Sequence, residues 1–173
     1  TASKNLTYNE AETLLAHGLW IGLNWESSAT RVNTGGTSGG TADARAANAL
    51  ADQIGAPKDA VIFYSCDAPP NLAAAHQYFT GVKAAGGRPV GWYGGQAVGL
   101  DLKRAGLVSY IWVANAASWS GFKKWDAMRA ALAPDVHMVQ HIDKPLAGLD
   151  PGAYDLNEVL SSFPAWGKRI TNT

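Results

Sequence analysis

The sequence is short of most residues on which specialised chemistries depend. A single cysteine, Cys66, rules out an internal disulfide and leaves the redox compartment open. Charged residues make up only 16% of the chain, against roughly 25% in soluble domains generally. Fourteen Lys and Arg balance fourteen Asp and Glu, so no basic surplus exists to displace counterions from phosphates, and no nucleic-acid partner is expected. No run approaches the roughly 18 consecutive apolar residues of a membrane helix, so no membrane partner is expected either. No basic stretch followed by an apolar one opens the chain, and an export signal is expected elsewhere or already removed.

Metal and phosphate motifs are missing as well. His17 and His76 lie in segments of helical period without a ligand-spaced partner. His137 and His141 are four apart in a strand-like run, about 13 Å along a strand, which is too far for one metal ion. No metal or other cofactor is expected. The Gly-rich stretch Thr34–Thr41 (TGGTSGGT) has neither the G-x-G-x-x-G order nor the G-K-[ST] ending of a phosphate loop, and Asp43 just beyond it would repel an anion. It reads as a flexible loop. There is no G-x-S-x-G elbow of an esterase.

What remains is a chain with 47% apolar residues and seven Trp, enough for a sizeable core and too apolar for disorder. Its 173 residues fit one domain, 1–173. Short β-branched and aromatic runs alternate with segments of helical period. The strand-like runs are Leu19–Glu26, Val61–Asp67, Pro89–Tyr93, Tyr110–Ala114 and Val136–Ile142, with Tyr154–Asn157 as a weaker sixth. The helical segments are Thr7–His17, Ala42–Ile54, Leu72–Ala85, Ala97–Ala105 and Ser120–Leu132. Thr7 and Glu10 form a capping-box pattern, and Gly18 a C-terminal stop. Such alternation predicts an α/β fold of parallel strands joined by right-handed crossovers, either an open sheet or a closed (β/α)8 barrel. The first element is a helix with no strand before it, so an upstream strand is expected.

In both architectures ligands bind at the carboxyl ends of the strands. Those ends carry Asn24-Trp25-Glu26, Ser65-Cys66-Asp67, Tyr93-Gly94-Gly95, Trp112 with Asn115, Gln140-His141, and Asp155 with Asn157. Carboxylates, amides and aromatic rings on one rim have the composition of a carbohydrate site. Glu26 and Asp67 end consecutive strands, where strand spacing allows the carboxylate separations of glycoside hydrolysis. Trp25 and Tyr64 are expected to desolvate one of them into a general acid. As purely structural alternatives, Glu26 is an exposed loop residue and Asp67 a turn residue before Pro69-Pro70. Cys66 and Asp67 point to opposite faces of a strand, and Cys66 reads as a small buried hydrophobe rather than a nucleophile. Trp119 and Trp125 read as helix-to-sheet packing, with Trp119 near the rim.

The order of motifs resembles the glycoside-hydrolase-like TIM-barrel domain of secreted actinobacterial proteins and their phages, which is distantly similar to the family 25 lysozymes. The matching pieces are Lys4-Asn5-Leu6-Thr7 with Glu10-Ala11, Gly18-Leu19, Trp25-Glu26, Asp43-Ala44 with Ala47, Ile54-Gly55-Ala56-Pro57 and Val61–Asp67. They continue through Tyr78-Phe79-Thr80-Gly81, Val90-Gly91-Trp92-Tyr93-Gly94, Tyr110-Ile111-Trp112-Val113-Ala114, Gln140-His141 and Tyr154-Asp155-Leu156-Asn157. The resemblance implies a (β/α)8 barrel of parallel strands with about six βα units visible and two strands upstream of Thr1. It implies hydrolysis of peptidoglycan or a related glycan by paired carboxylates. Glu26, Asp67 and Asp155 would be catalytic, and Trp25, Tyr93, Trp112, Gln140 and Asn157 would hold the sugar. Where the lysozymes end a strand with Asp-x-Glu, this chain has Asp67-Ala68-Pro69, and proline transfers no proton. The alternative is therefore an inactive glycan-binding or virion-structural domain on the same fold. The implied location is extracellular, at the cell wall or phage-associated. The implied partners are a polysaccharide and a segment or second chain that completes the barrel.

Overall fold

A computed structural model describes residues 5–115, 123–141 and 156–167. The chain alternates helix and strand in the order α1 (Tyr8–Ala16), β1 (Leu23–Trp25), α2 (Arg31–Thr34), α3 (Gly36–Gln53), β2 (Ile62–Ser65), α4 (Leu72–Ala85) and β3 (Val90–Gly94). It continues with α5 (Gln96–Arg104), β4 (Tyr110–Val113), α6 (Trp125–Ala130), β5 (Met138–His141) and β6 (Leu156–Val159). The helix starts follow local chemistry. Thr7 accepts the Glu10 amide at 3.3 Å while the Glu10 carboxylate accepts the Thr7 amide at 2.8 Å, which closes the capping box of α1. Gly18, at φ 74°, lets the chain leave that helix. Asn71 caps α4 by accepting the Ala74 amide at 3.0 Å. Among the described residues no helix is long and apolar enough to cross a membrane.

The six strands form one sheet in sequence order, and β1 to β5 pair in parallel. Strand twist curls it into a half-barrel of mixed α/β type. Alternation sorts the side chains into two layers. Ile62, Tyr64, Trp92, Ile111, Val113 and Val139 face the helices and form the main core. Val61, Phe63, Tyr93, Ala114, Met138 and Phe163 form a second cluster on the concave face. All four residues of β2 are buried, as a central parallel strand covered on both sides requires.

Two expectations need correction. The six visible strands are not all parallel, as a (β/α)8 barrel would have them: β6 runs antiparallel to β5, pairing His141 with Leu156 and Met138 with Val159. The sequence between them holds Pro145, Gly148, Pro151 and Gly152 and no helical period, a composition that does not favour the crossover helix a parallel return needs. After β6 the chain bridges the other side of the sheet, where the Val61 amide donates to Pro164 O at 2.9 Å and Ile21 exchanges two backbone bonds with Trp166.

The second correction concerns the Gly-rich stretch, which is helical and supplies the end of α2 and the first turns of α3. Tertiary packing overrides the propensity of glycine here. A Cβ on Gly40 would stand 1.9 Å from the carbonyl oxygen of Tyr78, and one on Gly81 would stand 1.9 Å from that of Thr37. The bare backbones of α3 and α4 therefore touch, and Thr41 Oγ1 donates across the seam to Gly81 O at 3.1 Å. Asp43, within the expected helical segment, sits buried in α3. Arg31 donates to both of its carboxylate oxygens at 2.7 and 3.0 Å, and the buried Tyr78 hydroxyl donates at 2.8 Å.

Candidate functional site

The carboxyl ends of β1 to β5 share one rim because these strands are parallel and in order. In the register, Trp25 stands opposite Tyr64 and Leu23 opposite Ile62. Asn24, Phe63 and Ser65 therefore share the concave parity, which Glu26 and Asp67 continue just beyond the strand ends. Glu26 directly follows β1, and Asp67 lies two residues past the end of β2. Both acids are exposed, and neither has a hydrogen bond or ion pair among the described residues. Cys66 lies in the helix-side core, opposite in parity to Asp67. Burial first, and the nearby Asp67 charge second, push its thiol up from the usual cysteine range. Such a thiol is inert as a nucleophile.

The concave face between these acids and β6 carries three polar pairs. The Ser65 hydroxyl donates to Asn24 Oδ1 at 2.8 Å. The Tyr93 hydroxyl donates to Gln140 Oε1 at 3.0 Å, with both side chains buried. The Trp112 indole N–H donates to Asn157 Oδ1 at 2.9 Å across to β6. Trp112 packs edge-on against Tyr93 at 4.7 Å and Phe63 at 5.7 Å, and it remains partly exposed. The result is a half-exposed indole held rigidly among amides. Asn115, only 2% exposed, accepts from the Lys123 amide and donates to the Lys123 carbonyl, clasping the chain where it returns after β4.

Tyr93, Trp112, Gln140 and Asn157 thus come together on one face, with Glu26 and Asp67 at its rim. Trp25 does not join them. It lies on the helix side against the main core, and its buried indole N–H has no partner among the described residues. Its register partner Tyr64 is also on the helix side, where burial drives its phenol well above the usual range. Neither ring surrounds the exposed acids, so the apolar collar expected from them is not the one present. Asp155 and Trp119 lie outside the described residues. Asn24 and Ser65 are the rim residues that composition alone did not single out, although their parity with Glu26 and Asp67 pointed to them.

Among the described residues no group of three or more His, Cys, Asp and Glu side chains converges as a metal site would require. A shallow hollow of about 360 Å³ is lined by Leu6, Asn9, Glu10, Thr13 and Leu14, none of them at a strand end.

A half-barrel whose strand ends gather carboxylates, amides and a rigid indole defines the protein as a glycoside-hydrolase-like α/β domain. More narrowly, residues 1–148 match the model of the Rv2525c-like, glycoside hydrolase-like domain family, and the chain belongs to that family. It is similar to the crystal structure of the Mycobacterium tuberculosis Tat-secreted protein Rv2525c in complex with L-tartrate. The identity is 25% and the TM-score 0.73, over 94% of this chain and 79% of that one. A second crystal form of Rv2525c, in complex with HEPES, matches with the same figures. No curated protein matches the chain.

Proposed function

We propose that this domain is exported and acts on cell-wall peptidoglycan or a related glycan, hydrolysing a glycosidic bond with paired carboxylates in the manner of a muramidase. One observation carries the reading: Glu26 and Asp67 stand exposed, and without hydrogen-bond or ion-pair partners among the described residues, just past the carboxyl ends of two adjacent parallel strands. Glycoside hydrolysis needs one carboxyl to protonate the leaving oxygen and one carboxylate to attack or to activate water. Glu26 and Asp67 share these roles, and Asp155 orients or charge-tunes them. The exposed part of Trp112 stacks on the sugar, while Tyr93, Gln140 and Asn157 fix the polar edges of the site. Export is supported by the Tat-secreted relative. Among the described strands β1 is an end strand of the sheet, which fits pairing with a further segment or another chain.

Pro69 favours a second reading, a domain that binds glycan without cutting it. Incubating purified peptidoglycan with the wild type and with Asp67→Asn separates the two. The hydrolytic reading expects new reducing ends from the wild type, none from the variant, and co-sedimentation of both proteins. Co-sedimentation of the wild type without reducing ends selects binding alone, and full activity in Asp67→Asn removes Asp67 from the mechanism.

A further inference from the structure

Hydrolysis by two carboxylates depends on their separation, and each here rides on a loop rather than within a strand. The loop after β1 runs from Glu26 into α2, and the loop after β2 runs from Asp67 to Asn71. The side-chain amide of Asn33 ties α2, into which the first loop runs, to the second loop. Its Nδ2 donates to Pro69 O at 3.1 Å, and its Oδ1 accepts the Asn71 amide at 2.8 Å.

The base of this brace is fixed. Val32 is fully buried, and Arg31 is held by the two-point ion pair with Asp43. The far side is fixed too. Asn71 caps α4, Cys66 Sγ donates to Ala68 O at 3.4 Å, and Pro69-Pro70 restrict the backbone between them. Among the described residues, the two bonds from Asn33 are what tie residues 67–71 to α2.

We propose that Asn33 is a positioning residue, which sets the distance between Glu26 and Asp67 by bracing one loop against the other. The inference rests on the carboxylate-pair reading above. Asn33 touches no reacting atom, and its effect passes through the Asp67 loop. A residue that only stabilised the fold would change the folded fraction. A positioning residue changes turnover within folded protein, because small misplacements of a reacting group are costly while substrate binding is made elsewhere.

The test uses the whole domain, with kcat and KM on peptidoglycan fragments and the rate at which a small thiol reagent labels Cys66 under native conditions. Wild type, Asn33→Ala and Asn33→Asp are compared. Losing both bonds should lower kcat roughly ten- to hundredfold with KM nearly unchanged, and should speed Cys66 labelling by a similar factor as the loop opens. Asn33→Asp keeps the acceptor for the Asn71 amide and should fall between. Wild-type turnover in Asn33→Ala overturns the proposal, as does a kcat loss with unchanged labelling or a loss matched by an equal rise in KM. A wild type that releases no reducing ends refutes the hydrolytic reading before any variant is made, and the positioning role falls with it.

Discussion

Replacing Gly40 with alanine sets helix propensity directly against packing. In a helix interior with free space the change stabilises by about 0.5–1 kcal/mol, because alanine loses less backbone freedom on folding. Here the new Cβ would stand 1.9 Å from Tyr78 O, 2.8 Å from Tyr78 C and 3.1 Å from Val82 N. All three atoms are backbone within α4, so no side chain can rotate away. The helices must separate by roughly 1.5 Å before the contact is ordinary, which opens the seam around Thr41 and loosens the burial of Tyr78. Overpacking of this kind costs more than propensity returns, and we expect a net loss of about 3 kcal/mol. For a chain of this size that lowers Tm by roughly 6–12 °C. Urea and thermal unfolding of Gly40→Ala beside Ser38→Ala, an exposed change in the same helix expected to stay within about 0.5 kcal/mol, provide the measurement. A Gly40→Ala protein as stable as wild type would show that the glycines are not there for helix contact.

Two further outcomes follow from buried polar groups. Tyr78→Phe removes the hydroxyl that donates to Asp43 while keeping the ring, and should cost about 1.5–3 kcal/mol in urea unfolding as a lost hydrogen bond to a charged group. His137 accepts the Ile111 amide through Nδ1, and burial first, then Lys103, hold its pKa below the usual histidine value. The folded state therefore binds this proton less readily than the unfolded chain. Stability should be flat above the unfolded pKa of about 6.5 and decline as pH falls below it, levelling once the folded protein also takes the proton. His137→Gln should remove that component of the decline below about pH 6.5, as read by urea midpoints.

The sequence revealed the fold wherever one segment's pattern decided its own structure. The runs at 61–67, 89–93 and 110–114 correspond to β2, β3 and β4, because short β-branched and aromatic runs bounded by turn residues are too brief for helices. The capping box of α1 is equally local. What failed was decided by distant partners. Glycines at 39 and 40 read as a loop until α4 lies against them, and the register of Gly81 on Thr37 is not written in either segment alone. The direction of β6 depends on the lack of a helix-forming stretch before it, a signal that Pro145 and Pro151 carried and that strand counting passed over.

The site divides along the same line. Order along the chain was enough to collect Tyr93, Trp112 and Gln140 onto one rim, because parallel strands in sequence order must end together, whereas Asn157 reaches it from the amino end of the antiparallel β6. Parity was the weaker half of the reasoning. Applied at Cys66 and Asp67 it separated a buried thiol from an exposed acid. Carried one strand over, the same alternation would have moved Trp25 to the helix side and promoted Asn24 in its place, since the register sets Trp25 against Tyr64. Asn33 lay beyond any such rule, because its partners at 69 and 71 are reached only once α2 folds over the next loop. The departure at Pro69 therefore takes on a different weight. The proline that removes an acid also offers Asn33 a carbonyl to grip, so the position that counts most against hydrolysis is also one that stiffens the loop beneath Asp67.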